Sequence, residues 1–374
     1  MQDEKFPLII MLGDFLNRRK SEPFEPDDAL LRAAKDHQVE SIIYNQTKDP
    51  RLLSAYSKAL SAYANRGRLL KNIEIGLRER NIEYYLVKGP VVAANYPVPA
   101  LRTMGDCDFV VHSEDRAAVR EVLEGLGLIN KTDNDDHEWA YYKGEMEFEV
   151  HDALLYYDAL NSKSEIKLME RHWDYVKDNV LDRNFHFIYL LIHLKKHFLY
   201  EGVGFRQFMD LAVEAAGGVL DWDSVRSLLE EAELTKFAGI CLALCERWFG
   251  TVVPYKEELT EEFYSEATQK IMTNGVFGFN DESNDDNNAL NRVRRNGRLR
   301  TFIHNIFPGY KDCRYVKCYS WVNGKPWLLP AVWVYRLIRV LRHKDVRDGG
   351  KAHLNQIAKT NLSERDAFLK DWGI

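Results

Sequence analysis

The chain has 374 residues and a mass of 43.6 kDa, with 45% hydrophobic residues, 29% charged residues and a formal net charge of -6. That length excludes a small fold stapled by disulfides or metal and allows two or three core-bearing units. The acidic balance excludes a surface that binds polyanions irrespective of sequence, so nucleic acid is possible as a partner but not favoured. Five scattered cysteines (Cys107, Cys241, Cys245, Cys313, Cys318) predict free thiols in a reducing compartment. The opening "MQDEKFPLIIMLGDFL" lacks the basic flank and longer apolar run of a secretory signal, and no stretch is long enough to span a membrane. Together these features predict a cytoplasmic protein with no transmembrane segment.

In chain order, residues 1–80 carry apolar residues at helical spacing, as in "LLSAYSKALSAYANRGRLLKNIEIGLRERN", and predict an N-terminal helical region. Residues 81–160 change texture. "IEYYLVKG" and "DCDFVVH" read as short strands, "SEDRAAVREVLEGLGL" as an amphipathic helix, and "EWAYYKGEMEFEVHDAL" as a hairpin turning at Lys143 to Glu145. Residues 161–374 return to helix, starting with the apolar "FHFIYLLIHLKKHFLY". The fold class is therefore α+β: a small mixed-sheet core, flanked by N-terminal helices and a larger C-terminal helical region.

The second predicted strand carries Asp106 and Asp108, which on a strand project to one side. Two like charges so close call for a cation or a shared proton. The hairpin adds Glu147, Glu149 and His151 at the same period, with Glu149 best placed to complete a three-carboxylate site. Such a set suits a hard ion, Mg²⁺ (or Mn²⁺), held together with substrate phosphates. The competing account makes the two aspartates exposed strand-end residues with no ligand.

Upstream, "VKGP" closes the first strand, and Gly89-Pro90 suits a sharp turn into a helix whose amides at Val91 and Val92 are open to a phosphate. Lys88 and Arg102 then face phosphate charge, or else Lys88 is solvated and Arg102 pairs with an acid.

At this point the chain resembles the polymerase-beta-type nucleotidyltransferase superfamily, and within it the uncharacterised nucleotidyltransferase branch. The resemblance rests on "VKGP", "NYPVP", "LRTMGDCDFVV", "EFEVH", "IYLLIHLKKHFLYEGVGFRQFMDLA" and a C-terminal "IFPGYKDCRYVKCYSWVNGKPWLLPAVWVYRLIRVL". It implies a palm-like core at 81–160, with Asp106 and Asp108 as metal ligands and Glu149 as third acid and base. It also implies a nucleoside triphosphate substrate, ATP among the candidates, and a hydroxyl acceptor on a small molecule, a protein or RNA. The alternative is a degenerate member that binds nucleotide or a partner without turnover. The sequence departs from the branch in having Pro90 after Gly89, which removes a hydroxyl from the phosphate turn, and Glu149 where Asp is commoner.

On the first long C-terminal helix, Tyr189, His193, Lys196, His197 and Tyr200 form a polar stripe. It either lines the cleft opposite the carboxylates or makes a hydrogen-bonded seam, and zinc is disfavoured for want of a third ligand. The resemblance tilts toward the cleft, and the nucleotide-binding set it implies is Lys88, Gly89, Arg102, His193, Lys196 and His197. Asp210 and Arg206 predict an intrahelical ion pair. "NDESNDDNN" at 280–288 reads as a surface loop without metal. The arginines Arg292, Arg294, Arg295, Arg298, Arg300, Arg336, Arg339 and Arg342 read as paired internally, and Trp327 and Trp333 as docked in a core. Alanine at Asp106 or Asp108 is expected to abolish transfer and leave the fold intact.

Overall fold

The computed structural model describes residues 6–131, 138–155, 161–200, 202–275, 307, 309–310, 325–342, 367 and 369–374. The loop at 280–288, Cys313, Cys318, the arginines at 292–300 and the side chains of Arg336, Arg339 and Arg342 lie outside the described residues. Two compact units form: residues 1–281 with 372–374, and residues 282–371.

The first unit opens with α1 (Pro7–Leu16), α2 (Asp28–Asp36), α3 (Glu40–Thr47) and the long α4 (Leu53–Glu79). Proline at the first turn starts α1, and Asp27 caps α2 by accepting from the Leu30 amide at 2.8 Å. Buried Leu69, Ile73 and Leu77 recur at four-residue spacing along α4, which makes the stripe that a sheet can cover.

That sheet has the order β1-β2-β5-β4-β3, built from β1 (Tyr84–Val87), β2 (Asp108–Val111), β3 (Ile129–Asn130), β4 (Glu138–Lys143) and β5 (Met146–His151). The central β2–β5 pair is parallel and its neighbours are antiparallel, so the sheet is mixed. Lys143 pairs with Met146 around a two-residue turn, with Gly144 at φ 63°, the conformation a tight hairpin needs. The hairpin falls where the sequence predicts it.

Alternation gives the sheet two unlike faces. Tyr84, Phe109, Val111, Trp139, Tyr141, Phe148 and Val150 form a core with α4 and α6 (Arg116–Gly125). The approach is close: a Cβ on Gly76 of α4 would lie 2.7 Å from Val122 Cγ1 of α6. Register places Val87, Asp108 and Glu149 side by side on the opposite face. Asp106 and Cys107 precede β2 rather than belonging to it, although Cys107 already exchanges backbone bonds with Glu147 and Glu149.

Between β1 and β2 lies the four-residue α5 (Gly89–Val92). After the sheet come α7 (Lys163–Met169), the short strands β6 (Val176–Lys177) and β7 (Val180–Leu181), α8 (Arg183–Tyr200), α9 (Phe205–Ala216), α10 (Trp222–Glu231), α11 (Thr235–Phe249) and α12 (Glu261–Asn274). Helix α11 is buried almost all round and ends at Gly250 with φ 69°. Trp372 packs among Phe198, Phe237 and Phe263.

In the second unit, Val332 of α13 (Leu329–Arg342) is buried with Tyr310, Leu328 and Leu329 against it. Trp333 meets Phe307 edge-on, whereas Trp327, expected in a core, is 70% exposed. Among the described residues no helix is long and apolar enough to cross a membrane.

Leu77→Ala, at a fully buried α4 position, is expected to cost about 2–5 kcal/mol in urea unfolding. Leu60→Ala, on the exposed side of the same helix, is expected to stay within about 0.5 kcal/mol.

Candidate active site

Asp108 heads β2 and is buried, and one of its two oxygens is fully engaged. Oδ1 accepts from Lys88 Nζ at 2.6 Å and from His151 Nε2 at 3.0 Å. Oδ2 is buried and has no hydrogen-bond partner among the described residues. Glu149 lies beside Asp108 in register on β5, and its Oε2 is 3.6 Å from His151 Nε2. Ligand atoms of Asp108, Glu149 and His151 all lie within 4.8 Å of one another.

Burial opposes charge here, and pairing overcomes it. Burial pushes the Asp108 carboxyl up, but the Lys88 ammonium and the His151 bond together hold it well below the usual carboxylate range. Burial likewise pulls His151 down, while its bonds to Asp108 and Glu149 raise it to about 9, so it is an imidazolium at neutral pH. Lys88 is pulled down by burial and carried well above its ordinary value by Asp108.

Lys88 is held by its backbone as well. Its φ of 55° and ψ of -124° is a conformation that suits glycine and strains a side-chain-bearing residue. The surrounding structure fixes it: the Lys88 amide donates to His186 Nε2 at 2.9 Å. Burial pushes His186 down to about 3, leaving a neutral ring that can accept there, while its Nδ1 is buried without a partner among the described residues.

The turn that follows differs from expectation. The Val91 and Val92 amides, expected to be open to phosphate, donate to the Lys88 carbonyl at 3.2 and 2.9 Å. Four residues of α5 close their own first turn instead of presenting free donors. Gly89 lets Arg102 approach closely: a Cβ would lie 2.6 Å from Arg102 Nη1, so a side chain there would displace the guanidinium. Arg102 itself pairs with an acid, not an open cleft. Its Nε and Nη2 donate to Asp210 Oδ1 and Oδ2 at 3.1 and 2.6 Å, a buried bidentate pair. Tyr96 also donates to Asp210 at 2.7 Å. Asp210 therefore bonds across to the 96–102 segment, whereas the sequence predicts an intrahelical pair with Arg206.

Of the three carboxylates expected to share an ion, the structure brings Asp108 and Glu149 together, with His151 as the third group of the close cluster. Asp106 is half-buried at the entrance to β2, and its carboxylate takes no hydrogen bond or ion pair among the described residues. On α8, His193 Nε2 meets His197 Nε2 at 2.9 Å. Burial, together with the charges of Lys88, His197 and Lys196, pushes His193 well below its ordinary value. Lys196 is exposed, while its neighbour Lys195 forms a buried ion pair with Glu165.

The donor set fits a hard divalent ion: one open oxygen on a buried, ionised Asp108, a second carboxylate beside it, and an uncommitted Asp106 two residues away. Neutralising Asp108 would strand Lys88 and His151 as buried cations, which typically costs about 3–5 kcal/mol. Replacing Asp108 is therefore expected to weaken the fold as well as the site, unlike the expectation from sequence.

Acids on one sheet face beside a lysine-bearing turn form a site able to handle phosphate esters through such an ion. A family profile described as "Uncharacterised nucleotidyltransferase" matches residues 25–250, more than half of the chain, and the chain belongs to that family. No curated protein matches it. Among solved structures, the solution structure of the antibiotic-resistance factor ANT(2'')-Ia is similar, at 13% identity over 44% of this chain and 89% of that one, with a TM-score of 0.33. A likeness that slight carries no argument.

The imidazoles set a pH dependence. His37, His172 and His186 are pushed, chiefly by burial, to about 4, 4 and 3. Their folded values lie below the unfolded value near 6.5, so their contribution is full above about pH 6.5 and lost as pH falls through 4 and then 3. His151 has the opposite sign: its contribution is present below about pH 6.5 and lost as pH rises through about 9. Urea stability is expected to decline from pH 6.5 toward 4, and His186→Gln to reduce that slope by about one proton.

Proposed function

We propose that the chain is a metal-dependent nucleotidyltransferase, which moves a nucleoside monophosphate from a nucleoside triphosphate to an acceptor hydroxyl and releases pyrophosphate. The observation that carries this reading is the open Oδ2 of a buried, ionised Asp108 beside Glu149. A bound Mg²⁺ or Mn²⁺ would supply charge neutralisation and Lewis acidity toward the phosphates. Asp108, Glu149 and Asp106 are the residues that would hold it.

The remaining work falls to the chain's own groups. Lys88 keeps two N–H donors beyond its bond to Asp108, and these bind phosphate oxygens. His193 and His197 line the nucleotide from α8, with exposed Lys196 at the edge. Arg102, tied to Asp210, acts by bracing the Gly89 turn. The acceptor oxygen attacks the α-phosphorus, the bond to the bridging oxygen of the departing pyrophosphate breaks, and Glu149 takes the hydroxyl proton. His151 cannot serve as that base, because it already carries its proton. The palm-like character of the core, the division at residues 80 and 160, ATP as donor and a cytoplasmic setting belong to the same reading. Buried free Cys107, Cys241 and Cys245 support that setting.

A second reading, binding without turnover, is favoured by one observation: the Val91 and Val92 amides and Arg102 are all engaged within the protein. A thermal-shift screen of the four ribonucleoside triphosphates with and without Mg²⁺ separates the two when coupled to pyrophosphate detection over a pool of hydroxyl acceptors. Stabilisation that needs Mg²⁺ is expected, with pyrophosphate release falling about a hundredfold or more in Asp106→Asn and Glu149→Gln. Stabilisation indifferent to metal and to both acids would sink the transferase reading; metal-dependent binding with no release across the pool would favour the second.

A further inference from the structure

The segment that leads into Asp106 is held from outside the sheet, by its own backbone carbonyls. Ser41 Oγ of α3 donates to Leu101 O at 3.1 Å, and Arg206 Nη1 of α9 donates to Thr103 O at 3.0 Å. Arg66 Nη2 of α4 donates to Met104 O at 3.0 Å and Gly105 O at 3.2 Å. Thr103 Oγ1 donates to Gln38 O at 2.9 Å, and Gln38 Oε1 accepts from Arg206 Nη1.

Neither Arg66 nor Arg206 has a carboxylate in ion-pair contact among the described residues, and the Nε of each is buried without a partner. Burial pulls both guanidinium groups down, Arg206 to about 10. Two desolvated cations without a paired acid are costly, so their convergence on three successive carbonyls calls for a cause. Both lie in the field of Asp106, yet neither touches its carboxylate.

We propose that Arg66 and Arg206 are positioning residues: by fixing the carbonyls of Thr103, Met104 and Gly105 they present Asp106, with both carboxylate oxygens uncommitted, to the divalent ion of the transferase site. This rests on the metal-dependent reading above and deepens it. It gives the N-terminal helices a role, because α4 then carries part of the site's scaffold. The two effects of each arginine on a cation oppose one another. Its charge repels the ion, while its restraint of the loop favours it, so the sign of the change on removal tells which one matters.

The test compares wild type with Arg66→Met, Arg206→Met and Arg66→Lys. Mn²⁺ binding is followed by electron paramagnetic resonance without nucleotide, and hydrogen exchange of residues 101–107 is followed without metal. Faster exchange confined to 101–107 is expected in both Met variants, β1 and β5 being unchanged. Mn²⁺ binding is expected to weaken about tenfold or more in both. Arg66→Lys keeps the charge but ends in a compact ammonium on a shorter stem, in place of the planar guanidinium whose Nη2 reaches both carbonyls, and is also expected to weaken binding. Should a Met variant fail to fold, Thr103→Val removes only the bond to Gln38 and is expected to move both readouts in the same direction. Unchanged exchange, or Mn²⁺ binding that is unaltered or tighter in the variants, overturns the proposal. A wild type that binds no Mn²⁺ overturns the transferase reading instead, and exchange alone then decides whether the arginines restrain the loop.

Discussion

The structure turns on one buried carboxylate with unequal oxygens. Asp108 Oδ1 receives Lys88 and His151, and Oδ2 receives nothing. A buried acid with no cation nearby would take up a proton, and an acid whose two oxygens each accepted two bonds would have no lone pair to offer. Asp108 avoids both outcomes, because two cations on one side keep it ionised while the other side stays open. The strain at Lys88, the bond from its amide to neutral His186, and the register that sets Glu149 beside Asp108 all serve that arrangement.

The sheet makes this possible through the difference between its faces. One face is apolar and covered by α4 and α6, which fixes β2 and β5 with no help from the polar residues. The other face can then carry Asp108, Glu149 and His151 without having to supply the packing energy of the core. Two ion pairs around it, the buried Arg102 with Asp210 and the partly exposed Arg183 with Glu214, tie the 89–102 segment and α8 to α9. Polar groups therefore determine where the helices meet the site, and apolar groups determine that the sheet exists.

Much of this was legible in the sequence, for identifiable reasons. Period-2 alternation in "EWAYYKGEMEFEVH" and the Lys-Gly-Glu turn specify the hairpin, and the same alternation places Glu149 and His151 on one face. What failed were inferences that needed tertiary partners. Spacing places Asp106 in the strand, because spacing alone does not show where a strand begins. The sequence offers the Val91 and Val92 amides to phosphate because a short helix closing on Lys88 O is not visible in "KGPVV". Arg102 and Asp210 are 108 residues apart, so the sequence points instead to Arg206 at helical spacing. Arg66 and His186 give little signal: one lies in a charged amphipathic helix, and the other among apolar residues at the start of α8, before its polar stripe begins. A lone histidine in "NFHFIYLL" was the only clue to the group that holds the Lys88 amide.

The most direct measurement is the anomalous scattering of Mn²⁺ in crystals grown with a non-hydrolysable nucleoside triphosphate. The account predicts an anomalous peak at coordinating distance from Asp108 Oδ2 and from Glu149, with the triphosphate reaching the same peak. Nucleotide bound elsewhere, or Asp108 still bonded only to Lys88 and His151 with no peak beside it, would contradict it.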